Sequence, residues 1–273
     1  MINGIEVIDS HTHFGFDPMA QVHGAAMEAD ATYQGDDSIP SMFRWMKKYN
    51  VDKTVVMTGI SPAVPKDWDD MEKNRFVVPL LEKHPETFIG LCLVNPNNGR
   101  LFGKEFLQKN LDKFFNEYKM KGVKLLPPDG WYYANDIDLL SPVMEKAEEY
   151  NYPVMIHSTR VPRCMPSLIG ELAENFPRNT IIIAHAGGHD HVHETVIVLK
   201  KYENLYADSS LIWEIDIKRI VNKVGAHKLL YGSDAPYLSA GVALYKILDC
   251  EFNEKDLKLI LHDNAVRIFG FEE

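Results

Sequence analysis

Four sets of ligand-type side chains punctuate this sequence: Asp9-Ser10-His11-Thr12-His13, then His157, then His185, then Gly232-Ser233-Asp234. His11 and His13 are two residues apart. On an extended chain such residues point to the same side, so both imidazoles can reach one ion. Histidine and carboxylate are the ordinary ligands of Zn2+ and related divalent metals. Taken singly, each has a structural reading: a polar pair at a strand end, a hydrogen-bonded histidine, or an aspartate capping a turn before Pro236. Metal chemistry therefore depends on whether the fold brings them together.

The elements around them suggest that it does. Eight short apolar runs recur at residues 4–10, 53–59, 88–95, 122–126, 153–157, 180–185, 205–209 and 228–232. They are nearly continuous rather than alternating, as strands covered on both faces are. Between them, residues 39–49, 71–83, 101–119, 139–150, 167–175, 192–202 and 215–224 carry apolar positions at helical spacing. After residue 238 the pattern predicts helices over 242–248 and 254–262 and a last turn at 264–269. Eight βα units predict an α/β chain closed into a (β/α)8, TIM-like barrel, one domain over residues 1–273. An open doubly wound sheet is the rival, but no Gly-rich dinucleotide turn follows the first strand. In a barrel the C-terminal strand ends share one face, where His11, His13, His157, His185 and Asp234 would converge. The polar stretch 14–38 is long for a βα loop and predicts a lid or binding loop.

Composition bounds the partners. The 273 residues carry a net charge of −10, with acidic groups scattered rather than in blocks. That argues against nucleic acid, whose phosphates need a basic footprint. No apolar run reaches the roughly 20 residues of a membrane span, and the N-terminus does not resemble a signal peptide. Three separated cysteines form no disulfide framework and point to a reducing compartment. The expectation is a cytoplasmic protein acting on a small molecule.

The ordered set DSHTH, the fifth-strand histidine, AHAGG, YGSDAP, GVKLLP and NAVRIFG resembles the amidohydrolase superfamily, in particular its amidohydrolase-2 branch of hydrolases, hydratases and decarboxylases. The likeness runs from Asp9 to Gly270. It implies one divalent ion, usually Zn2+ with Mn2+ or Fe2+ as alternatives, held by His11, His13, His157 and Asp234. It also implies that His185 faces the metal-bound water as a catalytic base, and that homo-oligomers are common. Asp234 takes a second, catalytic role in relaying a proton. On this reading the ion lowers the pKa of water and polarises a substrate oxygen. The first expectation is a metal-dependent hydrolase. A non-oxidative decarboxylase or hydratase with the same site is the alternative, and a non-catalytic metal-binding protein the third.

Other residues are candidates for substrate contact. Lys124 lies in GVKLLP, which looks like the mononuclear branch's element, so an ordinary ammonium near the site is favoured over a structural lysine or a carboxylated bridge between two metals. Arg160 and Arg163 follow His157 and suit a substrate carboxylate, which hints at an anionic substrate. Trp131, with Tyr132 and Tyr133, is a candidate pocket wall. His189, His191 and His193 read as solvated surface, and Asp208 as a partner behind the ligands or a turn residue.

Overall fold

A computed structural model describes residues 1–15, 39–59 and 70–272. Parallel strands alternate with helices: β1 (Ile8–Phe14), α1 (Ile39–Tyr49), β2 (Lys53–Thr58), α2 (Asp70–Asn74), α3 (Val78–Lys83), β3 (Phe88–Gly90), β4 (Cys92–Leu93), α4 (Asn97–Phe102), α5 (Lys104–Asn116) and β5 (Val123–Leu125). There follow α6 (Pro127–Gly130), α7 (Ile137–Glu149), β6 (Val154–His157), α8 (Pro166–Asn175), β7 (Ile181–Ala184), α9 (Val192–Lys201), β8 (Leu205–Asp208), α10 (Glu214–Lys223) and β9 (Leu229–Leu230). Helices α11 (Ala240–Leu248), α12 (Glu254–Lys258) and α13 (Asn264–Phe269) complete the chain.

Strands pair in chain order, β1-β2-β3 and β4 through β9. β3 and β4 are one strand interrupted at Leu91, whose N–H still bonds Val56 O at 3.0 Å. The seam closes where Ser10 N–H reaches Tyr231 O (2.9 Å) and His13 N–H reaches Ala235 O (2.7 Å). Eight strand positions thus form the expected (β/α)8 barrel. The polar segment 14–38, expected as a binding loop, lies outside the described residues from residue 16 on.

Alternation decides what enters the barrel. Val154, Ile156, Ile181 and Ile183 join the large cluster between strands and helices, whereas Met155, Ile182 and Ala184 join the smaller inner one with Ile8, Val55, Met57, Ile89 and Leu230. Phe269 and Phe271, from the C-terminal segment, belong to that inner cluster. By the same parity Lys124, between outward Val123 and Leu125, points inward, as does His157, two beyond Met155. The β1–β2 register shifts between Asp9 and Thr12, a bulge of the kind that re-aims side chains near sites.

Three elements differ from the pattern. The first strand begins at Ile8, because Asn3 and Gly4 (φ 51° and 79°) turn the chain and Ile2 pairs back with Ile5. The predicted 71–83 helix is two, with Pro79 in the first turn of the second, where its missing N–H costs nothing. The 101–119 helix breaks at Gly103, whose φ of 96° suits glycine.

Candidate metal centre

The C-terminal strand ends bring the expected side chains together, and the hydrogen bonds behind them fix what each nitrogen offers. His11 Nδ1 lies 2.9 Å from Asp208 Oδ2. Burial works to raise the Asp208 pKa, but His11, His185 and the Ser210 hydroxyl together hold it below the usual carboxylate range. The ionised carboxylate only accepts, so His11 Nδ1 carries the hydrogen and Nε2 the lone pair. His13 Nδ1 lies 3.1 Å from the carbonyl oxygen of Thr58. A carbonyl also only accepts, so His13 Nδ1 donates and Nε2 is the atom turned to the site.

Both Nε2 atoms face Asp234 Oδ1, from His13 at 3.1 Å and from His11 at 3.4 Å. Burial pushes the Asp234 pKa up, yet His185, His13 and His11 outweigh it and hold it below the usual range. Two imidazole Nε2 atoms and a carboxylate oxygen therefore converge on one point. Such a set attracts a cation. The three atoms fit a divalent ion, and the chemistry of the donors is that of a His/Asp site. Asp234 reaches this position in a left-handed backbone (φ 62°), steadied by its N–H on His11 O at 2.8 Å. Gly232 lets Asp208 approach: a Cβ there would sit 3.1 Å from Asp208 Cβ, Cγ and Oδ1.

His185 also has φ above zero (61°), and its N–H donates to Asp208 Oδ1 at 3.1 Å. Its Nδ1 meets Ser210 Oγ at 2.7 Å and its Nε2 meets His157 Nδ1 at 3.1 Å. Burial, with help from the Lys124 charge, drives the His185 pKa down to about 3, so the ring is neutral. Burial likewise carries His157 well below the ordinary value. His157 stands on the pocket wall against His185, outside the tight groups His11–His13–Asp234 and His11–His185–Asp208. Lys124 Nζ lies 3.0 Å from His11 Nε2; burial lowers its pKa to about 8, which leaves an ammonium at neutral pH.

Among the described residues these side chains line a cavity of about 260 Å3, with Thr58, Gly59, Leu126, Asp129 and Tyr237 as further walls. The sequence reading missed those five. Thr58, Gly59 and Leu126 end or follow strands, so the strand-end rule could have found them. Tyr237, whose hydroxyl donates to Gly59 O, had no such signal.

The rim candidates lie elsewhere. Arg160, Arg163 and Trp131 are not among the described cavity walls. The Arg163 guanidinium lies over the Trp131 and Tyr133 rings, 4.8 and 5.8 Å from their centroids, so these groups satisfy one another at the surface. The Arg160 side chain is 84% exposed beside Asp190. Trp131 is 73% exposed, while Tyr132 packs into the core instead. His189 bonds Asp216 at 2.6 Å and stacks on Trp213, and His191 pairs with Glu194. The three cysteines are buried and free. No described helix is long and apolar enough to cross a membrane.

The family model described as Amidohydrolase (Amidohydro_2) matches residues 8–271. No curated protein matches the sequence as a relative. Among solved structures, 2,6-dihydroxybenzoate decarboxylase from Rhizobium is 14% identical, with TM-score 0.73, covering 98% of this chain and 100% of that one. The 5-carboxyvanillate decarboxylase from Novosphingobium aromaticivorans, complexed with manganese and 4-hydroxy-3-methoxy-5-nitrobenzoic acid, is 16% identical at TM-score 0.72, covering 98% and 96%. The 4-oxalomesaconate hydratase from Rhodopseudomonas palustris is 17% identical at TM-score 0.67, covering 97% and 96%. At these identities the likeness is one of fold, whereas the family rests on the match along the sequence. The chain belongs to the amidohydrolase family, in its amidohydrolase-2 branch.

Proposed function

We propose that this protein is a metal-dependent lyase, a non-oxidative decarboxylase of a small anionic substrate, with one divalent ion held by His11, His13 and Asp234 and with His157 completing the set. The observation that carries this reading is the buried Lys124 ammonium on the cavity wall. Among the described residues its hydrogen-bond partner is a neutral imidazole and not a carboxylate. A cavity that offers a cation beside a metal set is built for an anion. The similar folds of two aromatic-acid decarboxylases and one hydratase support the same class. The donor set suits Zn2+ or Mn2+, and manganese is the metal complexed in one of those structures.

When bound, the ion would polarise substrate oxygen atoms and stabilise negative charge that develops on them. Lys124 orients the carboxylate through its Nζ. His185 presents a lone pair at Nε2, where a proton taken from the substrate or from solvent can be held and passed to the carbon that loses CO2. Leu126 and Tyr237 flank the site and limit water. The catalytic assignments of His185 and Asp234 rest on this same reading. Hydrolysis, the first expectation from the sequence, uses the same residues; the decarboxylase reading is preferred because Lys124 gives a carboxylate its partner.

The test is product analysis with the zinc- or manganese-loaded protein on hydroxybenzoates and unsaturated carboxylates, beside amides, esters and lactones. Release of CO2, with Lys124→Met raising KM about tenfold or more, is expected. Addition of water across an amide, ester or lactone without CO2 overturns the lyase reading in favour of the hydrolase. Metal binding without turnover of either panel points to the non-catalytic alternative.

A further inference from the structure

We infer that Ser210 is a positioning residue that locks His185 in one tautomer, hydrogen on Nδ1 and lone pair on Nε2, by joining it to the same carboxylate that orients His11. The inference rests on the reading of His185 as the proton-handling group.

The direction of every hydrogen follows from the anionic end. Asp208 Oδ1 receives Ser210 Oγ at 2.5 Å, Ser210 N–H at 3.0 Å and His185 N–H at 3.1 Å, while Oδ2 receives His11 Nδ1 at 2.9 Å. An ionised carboxylate has no hydrogen to give, so the single Ser210 hydroxyl hydrogen is committed to it. Toward His185 the Ser210 oxygen can then only accept. The 2.7 Å contact requires hydrogen on His185 Nδ1. A neutral imidazole with hydrogen on Nδ1 has its lone pair on Nε2, which lies 3.1 Å from His157 Nδ1. The Nε2 of His157 itself faces the Thr159 hydroxyl at 3.4 Å. One buried carboxylate thereby sets two rings, His11 directly and His185 through Ser210. Their lone pairs are the ones a metal site and a proton acceptor need.

Ser210 is fully placed to do this. It is buried, and its backbone is pinned by Lys246, whose Nζ donates to Ser210 O at 3.0 Å and Ile212 O at 2.7 Å. Removing the hydroxyl therefore leaves the backbone path and the Asp208–His11 arm intact, but frees His185 to place its hydrogen on either nitrogen. Ser210 is not among the described cavity walls, so it acts through His185.

The experiment is ring 15N NMR on histidine-labelled protein, metal-free and Zn2+-loaded, with His185 assigned by a His185→Gln variant. In the wild-type protein Nδ1 shows as the protonated nitrogen and Nε2 as the bare one. Ser210→Ala moves His185 to a mixture or to the Nε2–H form, and Ser210→Thr, which keeps the hydroxyl, restores the original signature. Zinc content stays at one per chain in all three. Where turnover is measurable, Ser210→Ala lowers kcat about tenfold or more with KM within about twofold, and Ser210→Thr recovers it. A wild-type His185 carrying hydrogen on Nε2, or an unchanged signature in Ser210→Ala, overturns the inference. The wild-type spectrum decides even if the alanine variant does not fold. Failure to find CO2 release would sink the decarboxylase reading and leave the NMR result standing on its own.

Discussion

Asp208 is the group whose alteration separates metal binding from proton handling most sharply. Its carboxylate accepts from four donors, His11 Nδ1, His185 N, Ser210 N and Ser210 Oγ. Asp208→Asn keeps the shape but offers one acceptor oxygen and one NH2. With the oxygen turned to the three donors at Oδ1, the NH2 meets the hydrogen on His11 Nδ1. Two donors then face each other. His11 relieves the clash by moving its hydrogen to Nε2, the atom aimed at Asp234, and so gives up its lone pair to the metal. The opposite flip sets NH2 against three donors and is worse. Loss of such an outer partner costs about 10–100-fold in metal affinity, equivalent to roughly 1.4–2.7 kcal/mol. The assay is competition of the purified variant against a chelator of known zinc affinity, with circular dichroism to show that the fold is kept. Ser210→Ala serves as the matched control, since it breaks only the His185 arm and should bind within about threefold of wild type. A folded Asp208→Asn that binds zinc within about threefold of wild type refutes the reasoning.

Other perturbations follow from the same contacts. Gly232→Ala puts a methyl group 3.1 Å from Asp208, so we expect a loss of about 1–3 kcal/mol, read as a lower melting temperature together with weaker metal binding. Removing the ion with a chelator should lower the melting temperature by roughly 5–10 °C from a state with metal at about 100 times Kd, because that ligand excess contributes about 2.7 kcal/mol. Asp9 is buried with Oδ2 unpartnered, and burial raises its pKa from 3.8 to about 7. The folded state then holds a proton that the unfolded state releases, so this group makes stability fall as pH rises from about 4 to about 7, by at most about 4 kcal/mol. Asp9→Asn keeps the oxygen that accepts from His11 N and Ser233 N. Metal-free Asp9→Asn should therefore gain on metal-free wild type across that window in urea melts, and a constant difference from pH 4 to 8 would contradict the assignment.

The features that were legible in the sequence are those controlled by period and order. Eight apolar runs predict eight strand positions, and period two on each strand sends Lys124 and His157 inward while their neighbours pack on helices. The convergence of His11, His13 and Asp234 needs only that strands end on one face, which is why spacing and strand order sufficed. What escaped depends on quantities that a linear pattern does not carry. Arg163 and Trp131 are adjacent to strand ends, but a loop arginine that finds two aromatic faces within 6 Å has little reason to turn into the cavity. Ser210 reads as an ordinary small residue after a strand; its role appears only when a hydroxyl two residues past Asp208 reaches both that carboxylate and a ring 25 positions away. The reason is physical. A hydroxyl can donate once, so its partner on the other side is determined by charge, and the charge on Asp208 is held against burial by His11, His185 and Ser210 itself. Spacing tells which groups share a rim, whereas hydrogen direction is fixed only where an ionised group anchors the chain of bonds. In this barrel Asp208 is that anchor, and it makes the lone pairs of His11 and His185 consequences of one carboxylate rather than independent features.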